Sequence, residues 1–308
     1  MKVMQGWHAI ADAGELRPGK PLGLQRFGED WVLWRDAAGT AIAMQDRCPH
    51  RAAKLSLGAV AQGQIRCPYH GIAFDGQGTC TLVPELGRPA PGLRVATVPL
   101  REANGFLWAW IGGGAEPAGS PPWLGDLGSG FACTRQHETW PIHYSRWIEN
   151  ELDIAHLPFV HARTIGRGGN PRAQSRFDFS PEGIRILLDK DSPGANGAAI
   201  DFLYPNLWRL SVSKRMHLVM AFVPIAEDCT KAYVRTYHDF ARTPILRALI
   251  EPALRWLNNR VLGEDRRVVL SQEMPASSGE RAEILFRQDT AIHHFRSLVP
   301  QFVDTRWK

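Results

Sequence analysis

The chain has 308 residues, a formal net charge of +5 and 44% hydrophobic residues. A chain of this size can bury a sizeable core and can form one large domain or two ordinary ones. Its arginines and lysines are scattered, which disfavours a nucleic-acid-binding protein and leaves at most a basic face for an acidic redox partner or an anionic substrate. The odd number of cysteines, 5, argues against a disulfide scaffold and directs attention to metal sites.

Neither the start of the chain nor its apolar stretches indicate export or membrane insertion. Residues 1–16 lack the charged start and the continuous apolar core of a signal peptide. Residues 216–225 are apolar but too few to cross a bilayer. We therefore expect a cytoplasmic protein without a membrane span.

The first third of the chain predicts a small all-β domain, because short apolar runs alternate with Gly, Asp and Pro. These runs are residues 31–34, 41–44, 64–67 and 106–110. The Gly- and Pro-rich segment 112–122 predicts a linker. We place the boundary inside it, which gives domains at residues 1–115 and 116–308.

The second domain mixes helices and strands. Residues 144–157 predict a helix that ends near Pro158. Further helices are predicted at residues 245–262 and 264–273, and strands at residues 184–188 and 218–223. The fold class is therefore α+β, with an antiparallel sheet that carries its helices on one side.

The all-β domain contains two short motifs that each pair a cysteine with a histidine. Cys48 and His50 form C-x-H, and Cys67 and His70 form C-x2-H after a gap of 16 residues. Both pairs lie on predicted turns beside strands, where two tight loops can converge on one centre. A Rieske [2Fe–2S] cluster takes two cysteines on one iron and two histidines on the other, so each loop would supply one ligand to each iron.

Zinc is the alternative occupant of a site with two cysteines and two histidines. Zinc fingers usually group their cysteines in one pair and their histidines in another. The mixed pairing found here therefore favours the iron–sulfur cluster over zinc. The remaining cysteines, Cys80, Cys133 and Cys229, have no such context, and we interpret them as ordinary buried thiols.

A second motif, D-x2-H-x4-H, comprises Asp153, His156 and His161. Helical spacing puts Asn150, Asp153 and His156 on one face, and a break at Pro158 would let His161 turn back toward the same point. Two histidines supply half of a 2-His-1-carboxylate site, the ligand set of Fe(II) oxygenases.

The third ligand of such a site has to come from elsewhere in the chain. Our candidate is Asp265, because helical spacing places it on the same inward face as neighbouring apolar residues, whereas Glu264 falls on a different face. The alternative role of Asp265 is a carboxylate near a helix start, stabilised by the helix dipole. Glu264 is the next candidate for the ligand.

With both motifs in one chain, the sequence resembles the α subunits of the Rieske non-heme iron oxygenases. The cluster loops, the linker, the D-x2-H-x4-H helix and the late carboxylate occur in the family's order over nearly the whole chain. The resemblance implies an N-terminal all-β Rieske [2Fe–2S] domain and a C-terminal helix-grip (START-like) catalytic domain. It also implies a homotrimer arranged as a ring.

The resemblance further assigns a role to each motif residue. The implied cluster ligands are Cys48, His50, Cys67 and His70, and the implied ligands of the mononuclear iron are His156, His161 and Asp265. Asp153 would match the catalytic carboxylate that links an iron-ligating histidine to a cluster-ligating histidine of the neighbouring subunit.

The short chain resembles the branch with vanillate demethylase, dicamba monooxygenase and the saxitoxin-type hydroxylases. Two positions depart from the family's pattern, because Ala52 stands where many members have Gly and Ile72 where many have Trp. Neither is a ligand, but Ile72 is expected to change the shielding of the cluster and so its potential.

The expected activity is that of a terminal oxygenase, which uses O₂ to hydroxylate or oxidatively demethylate a small aromatic or polycyclic compound. Cis-dihydroxylation of a ring by the same centres is the alternative. The sequence contains neither G-x-G-x-x-G nor a plant-type ferredoxin motif. NAD(P)H is therefore expected to act only indirectly, through a separate flavin or iron–sulfur reductase, with or without a ferredoxin.

Two functions of other classes stay open. A Rieske electron carrier would explain the first motif but would leave the second one without a role. A zinc-binding interaction module would be colourless when purified.

Overall fold

Residues 1–112, 119–128, 130–188, 198–241, 243–272 and 283–305 are described by a computed structural model. Its backbone contacts divide the chain into two units, Met1–Pro121 with Val303–Lys308, and Pro122–Phe302. The boundary that we predicted, between residues 115 and 116, lies outside the described residues and stays a prediction.

The first unit consists of short antiparallel strands. They are β1 (Lys2–Val3), β2 (Gly6–Asp12), β3 (Leu22–Arg26), β4 (Glu29–Arg35), β5 (Ala41–Gln45), β6 (Ala59–Ala61), β7 (Gln64–Arg66), β8 (Ala73–Phe74), β9 (Cys80–Leu82), β10 (Thr97–Val98), β11 (Leu100–Ala103) and β12 (Phe106–Ile111). They form sheets in the orders β10-β5-β4-β3, β11-β12-β2 and β6-β7-β8-β9. The predicted all-β character of this part of the chain is confirmed.

The core of the first unit extends to the two predicted cluster cysteines. Trp34, Met44 and Phe74 are fully buried in one hydrophobic cluster, which also contains Cys48 and Cys67. The loops that bear these cysteines are therefore fixed by the packing of the unit, and not only by their own hydrogen bonds.

A seven-stranded antiparallel sheet forms the centre of the second unit, in the order β13-β19-β18-β17-β16-β15-β14. Its strands are β13 (Ala132–Trp140), β14 (Ser175–Ser180), β15 (Gly183–Leu188), β16 (Ala199–Leu203), β17 (Leu207–Ser213), β18 (Met216–Ala226) and β19 (Cys229–His238). The helices are α1 (Tyr144–Leu152), α2 (Leu157–Val160), α3 (Pro244–Val269) and α4 (Thr290–Leu298). This is the predicted α+β organisation.

Helices α1 and α4 lie on one face of this sheet. Phe202 and Trp208 are paired across β16 and β17, so their side chains share that face. Trp208 donates from Nε1 to the carbonyl of Glu151 in α1 at 3.0 Å. Phe202 meets the ring of Phe295 in α4 edge-on, with ring centroids 5.9 Å apart.

Helix α3 packs through buried residues that recur every three or four positions. Its buried residues are Leu254, Asn258, Leu262, Asp265 and Val269. This spacing is one face of an α-helix, so Asp265 faces inward with its apolar neighbours, as the sequence predicts. Thr243 caps the start of the helix, because its hydroxyl oxygen accepts from the backbone N–H of Leu246 at 3.3 Å.

Two of the predicted helices differ from the structure. The helix predicted at residues 144–157 ends at Leu152, and the short helix α2 follows with Pro158 in its first turn. Proline is tolerated there because the first backbone N–H groups of a helix have no partner within it. Pro158 therefore starts a helix and does not end one, and the prediction that Asp153 and His156 share one helical face is wrong.

The predicted pair of helices at residues 245–262 and 264–273 is one continuous helix as far as Val269. Gly263 does not interrupt it, because a glycine inside a helix costs only about 1 kcal/mol relative to alanine and packing compensates for this. Glu273, the predicted end, lies outside the described residues.

The end of the chain returns to the first unit, where strand β20 (Val303–Asp304) pairs with β1. In this short ladder, two backbone segments from opposite ends of the chain pair antiparallel. In the described parts of the chain, we find no helix that is both long enough and apolar enough to cross a membrane.

Candidate functional site

The two predicted cluster loops have the same backbone geometry. The N–H of Cys48 donates to the carbonyl of Ala53, and that of Cys67 donates to Ile72, both at 2.8 Å. In each loop the fourth residue after the cysteine donates back to the cysteine carbonyl, Ala52 at 2.8 Å and Gly71 at 3.0 Å. The two loops are therefore equivalent turns, although the histidine occupies a different position in each.

Both of these turns require a left-handed residue. The φ angle is 59° at Ala52 and 69° at Gly71. Glycine adopts this conformation freely, whereas alanine is strained there by about 1 kcal/mol. The departure that we noted at Ala52 is thus tolerated at a cost to the loop, without involving a ligand atom.

The cysteines and histidines of these loops differ in exposure. Cys48 and Cys67 are only 1% and 3% exposed, whereas His50 and His70 are exposed. The two imidazole rings are 4.7 Å apart between centroids. Two thiols inside and two imidazoles at the surface match a cluster with one cysteine-bound iron and one histidine-bound iron.

Burial, with a smaller contribution from the neighbouring Cys67 thiol, raises the pKa of the Cys48 thiol to about 11. Backbone N–H groups of His50 and Arg51 act in the opposite direction, since they donate to the sulfur and stabilise the thiolate. The two thiols are therefore close together, and without a metal the Cys48 thiol holds its proton at neutral pH. An iron–sulfur cluster would bind them as thiolates.

His156, His161 and Asp265 lie together in the second unit. Their candidate ligand atoms are all within 4.8 Å of one another. Asp265 Oδ1 is 2.9 Å from His161 Nε2 and 3.4 Å from His156 Nε2. Ligands about 2.1 Å from one metal ion are about 3 Å apart when they occupy adjacent positions, so these distances fit a shared ion.

Short helix α2 positions both histidines, because His156 is the residue before its first turn and His161 the residue after its last. Gly166 packs against the same turn, with its backbone N–H donating to the His161 carbonyl at 3.0 Å. A Cβ atom at Gly166 would lie 1.8 Å from the Leu157 carbonyl oxygen, so only glycine fits there.

Buried polar atoms without hydrogen-bond partners indicate that His156, His161 and Asp265 can hold a cation. Asp265 Oδ1 and His156 Nδ1 are buried and have no hydrogen-bond partner among the described residues. Although Asp265 Oδ1 is near His161 Nε2, the two are not aligned as a hydrogen bond. A buried carboxylate oxygen without a partner is costly, and a divalent metal ion would satisfy it.

Charges in this site change the pKa of each of its members. Burial lowers the pKa of His156, but the carboxylates of Asp153 and Asp265 outweigh burial and raise it to about 10. Burial raises the pKa of Asp265, but the two histidines outweigh this and lower it. In the metal-free site a proton therefore takes the place of the cation.

Glu264, the next candidate for the third ligand, contacts His161. Its Oε2 accepts from His161 Nδ1 at 2.9 Å and from the Thr164 hydroxyl at 2.6 Å. This contact fixes the proton on Nδ1, so the lone pair of His161 lies on Nε2, the atom that faces Asp265. Sequence reasoning missed this role, because nothing in the local pattern links Glu264 to His161 or Thr164.

Asp153 directly follows the last residue of α1, and its two carboxylate oxygens have different neighbours. Oδ1 accepts from the backbone N–H of Ala155 at 2.7 Å. Oδ2 is 3.6 Å from His156 Nδ1, which is an ion-pair distance rather than a hydrogen bond. The side chain is 26% exposed, so it reaches the surface as well as lying beside His156.

Glu151 is a further acidic residue near the site that sequence reasoning missed. Its Oε1 is buried and has no hydrogen-bond partner among the described residues. Burial raises the pKa of Glu151 to about 8, and the negative charge of Asp265 contributes to the increase. The carboxyl can therefore hold a proton near neutral pH.

A closed ring of ion pairs ties α1 to α4 behind the site. Arg146 contacts Glu149 at 2.6 Å and Glu283 at 2.5 Å. Arg296 of α4 contacts the same two carboxylates, at 2.6 Å and 2.5 Å. Each charge of the ring has two opposite neighbours, so the end of α1 that leads to Asp153 is held firmly.

The chain is similar to a known domain family and to proteins whose activity is named. The family model of the Rieske [2Fe-2S] domain matches residues 6–99. Chlorophyllide a oxygenase of Chlamydomonas reinhardtii is 38% identical over 298 residues, which are 89% of this chain and 44% of that protein. The chain thus spans less than half the length of this relative.

Two further comparisons cover more of the other protein. The 4beta-methylsterol monooxygenase of Methylococcus capsulatus is 30% identical over 294 residues, which are 84% of this chain and 78% of that enzyme. The structure of Pseudomonas putida CBB5 NdmA with caffeine superposes with a TM-score of 0.81, covering 96% of this chain and 90% of that one. At 23% identity this structural likeness establishes the fold.

These findings agree with what the two motifs imply about the family. The Rieske domain contains both cluster loops, and the likeness to the methylsterol monooxygenase extends over most of both chains. The chain therefore belongs to the Rieske oxygenases, as a protein of the α-subunit type.

Proposed function

We propose that this chain is a terminal oxygenase that uses O₂ and externally supplied electrons to hydroxylate or oxidatively demethylate a small aromatic or polycyclic compound. The observation that carries the proposal is the convergence of His156, His161 and Asp265 around one point. A protein that only transports electrons has no need of a second metal site with two histidines and a carboxylate.

The residues divide into two ligand sets. We assign Cys48, His50, Cys67 and His70 to the [2Fe–2S] cluster, and His156, His161 and Asp265 to a mononuclear iron. When bound, the cluster supplies electrons one at a time and Fe(II) supplies open coordination positions for O₂.

The surrounding carboxylates orient and protonate the site. Glu264 Oε2 accepts from His161 Nδ1 at 2.9 Å and so keeps the proton of this histidine on Nδ1. Asp153 lies beside Nδ1 of His156 and favours a proton there in the same way. Glu151, with a pKa of about 8, can hold a proton inside the site and release it.

Asp153 has a second part in the proposal. One of its oxygens faces His156, and the side chain is partly exposed. In a ring-shaped homotrimer this exposed carboxylate would face a cluster histidine of the neighbouring subunit and link the two centres for electron transfer. The contact with His156 supports this assignment.

The proposed partners follow from the reaction. Electrons from NAD(P)H would arrive through a separate flavin or iron–sulfur reductase, with or without a ferredoxin. The names of the two relatives specify a chlorophyllide and a methylsterol, which favours a polycyclic substrate. All five cysteines are free of disulfides, which favours the reducing cytoplasm as the location.

Metal analysis and turnover test the proposal together. The purified protein should be red-brown and contain about three iron atoms per chain, two in the cluster and one in the second site. With a surrogate reductase and a panel of aromatic and polycyclic compounds, mass spectrometry should detect a hydroxylated or demethylated product that incorporates oxygen from ¹⁸O₂.

The alternatives predict other results in the same experiment. A cis-diol product would assign ring dihydroxylation to the same centres. About two irons per chain without turnover would indicate an electron carrier, and zinc alone in a colourless protein would reject both metal assignments.

A further inference from the structure

Helix α3 has an apolar side that its packing does not use. Its inward face holds Leu254 and Leu262, which are 8% and 5% exposed. On the outer face, Ile245, Leu249 and Trp256 are 77%, 71% and 62% exposed. These three positions lie within about 40° of one another around the helix axis, so they form one line along it.

Smaller apolar residues make this line continuous. Pro252 and Ala253 are also exposed and fill the space between Leu249 and Trp256. We call the five residues the outer stripe: Ile245, Leu249, Pro252, Ala253 and Trp256. A contiguous exposed apolar surface of this kind costs solubility and marks an interaction site.

The charges of α3 are distributed unevenly around the stripe. All the acidic residues of the helix are buried or half-buried, namely Glu251, Glu264 and Asp265. The exposed charged residues of the helix are all arginines: Arg255, Arg260, Arg266 and Arg267. Arg260 lies 3.5 Å from the half-buried Glu264, but the arginines of the helix outnumber its carboxylates, so the surface that accompanies the stripe has a net positive charge.

The aromatic residue of the stripe interacts with one of these arginines. The guanidinium of Arg260 lies over the ring of Trp256, 5.7 Å from its centroid. Indole rings beside arginines are typical of the boundary between the headgroups and the acyl chains of a bilayer, where the ring is buried and the charge meets phosphate.

We propose that the outer stripe of α3 docks this protein on the surface of a membrane that contains anionic lipids. The helix would lie in the plane of the interface, with the five stripe residues among the acyl chains and Arg255 and Arg260 at the phosphates. A second copy of the same surface is a poorer partner, because two such helices side by side would bring arginine against arginine.

Vesicle sedimentation tests this proposal with the whole 308-residue chain, loaded with its cluster. The probe vesicles contain phosphatidylcholine with phosphatidylglycerol, and vesicles of phosphatidylcholine alone serve for comparison. We expect the protein to sediment with the anionic vesicles, and the bound fraction to fall as salt is added, because salt screens the arginines.

Two double variants separate the apolar and the ionic contribution. Leu249→Gln with Trp256→Gln keeps the charge and should weaken partitioning at least about tenfold, since two large side chains no longer enter the bilayer. Arg255→Gln with Arg260→Gln keeps the apolar stripe and should remove the preference for phosphatidylglycerol. Ile284→Gln is the matched control, because Ile284 is 80% exposed but lies outside the stripe.

Three results would overturn the proposal. They are a wild-type protein that stays in solution with both vesicle types, a Leu249→Gln/Trp256→Gln variant that sediments like wild type, and an equal loss in Ile284→Gln. Analytical ultracentrifugation without lipid adds a decisive case. If the Leu249→Gln/Trp256→Gln variant forms a smaller assembly than wild type, the stripe is a contact between subunits. The visible spectrum of the cluster and circular dichroism establish that each variant is folded.

Discussion

The two candidate metal sites are assembled over different distances along the chain. The proposed cluster ligands fall between Cys48 and His70, on two loops closed by the same pair of backbone hydrogen bonds. The second site joins the short helix α2 to Asp265 on α3, and six strands separate these helices in sequence. A site of the first kind is defined by its loops, whereas one of the second kind exists only when the whole unit has folded.

This difference predicts that each site can be removed without the other, and that is the largest effect we expect. Asp265→Ala should eliminate mononuclear iron and turnover but keep the Rieske spectrum, because the missing carboxylate lies in the other unit of the chain. Cys67→Ser should abolish the spectrum. Iron analysis and electron paramagnetic resonance measure both. If Asp265→Ala keeps its mononuclear iron, the choice of carboxylate is wrong.

Asp153→Asn tests whether the two sites are connected through the carboxylate at the end of α1. The amide keeps the size and the hydrogen bond from Ala155 but loses the charge beside His156. We expect both metal centres to remain and turnover to fall at least about a hundredfold. Rapid mixing should show slow oxidation of the cluster. Single-turnover rates equal to wild type would refute the link, and loss of mononuclear iron would make Asp153 a structural support.

Glu264→Gln tests how strongly iron binding at the second site depends on the hydrogen bond between Glu264 and His161. Without the carboxylate, the proton of His161 Nδ1 is held less firmly, and iron affinity should fall about 10- to 100-fold. Thr164→Val is the matched comparison, since it removes one hydrogen bond to the same carboxylate oxygen. Its effect should be about tenfold or less. Anaerobic Fe(II) titration measures both, and equal affinities in the two variants would contradict the assigned role.

The affinity of the second site for Fe(II) should depend on pH, because His156 must lose a proton before it can bind the metal. In the metal-free protein His156 has a pKa of about 10, and Fe(II) needs the neutral imidazole. Affinity should therefore rise about tenfold per pH unit up to that pKa. The proton stabilises the metal-free fold fully below the unfolded pKa of about 6.5, and this stability is lost as pH rises through about 10. An affinity that does not vary between neutral and alkaline pH would contradict this.

The smallest expected effect concerns the cluster loops. Ala52→Gly removes a left-handed alanine with φ 59°, which relieves about 1 kcal/mol. The greater freedom of glycine in the unfolded chain offsets about half of this gain. We expect a net stabilisation of about 0.5 kcal/mol, measured as a higher urea midpoint for loss of the cluster absorbance. Ala53→Gly is the control, and a similar gain there would show that strain at Ala52 is not the cause.

The same contrast explains what could be predicted from the sequence. The candidate ligands of the cluster loops are predicted by spacing alone, because each loop is a local turn. The closeness of His156 and His161 is predicted in the same way. The inward position of Asp265 is predicted because the buried face of α3 is periodic, although the helix continues through Gly263, where the prediction divided it.

The supporting contacts could not be predicted, because they join residues far apart in the chain. Glu264 meets His161 only after α3 has packed against α2. The ring that includes Glu149 and Arg296 depends on α4 in the same way. The end of α1 was misplaced because Pro158 is compatible with both a helix end and a helix start, and only the path of the chain after Leu152 decides between them.

Helix α2 is a single turn, with one candidate iron ligand immediately before it and the other immediately after it. A turn of this length has few backbone hydrogen bonds and little cooperativity of its own. Its opening is therefore a local event that releases both imidazoles at once, without unfolding the sheet. On this view the residence time of the iron is set by the lifetime of one helical turn. The packing of Gly166 against that turn stabilises it and so slows metal exchange.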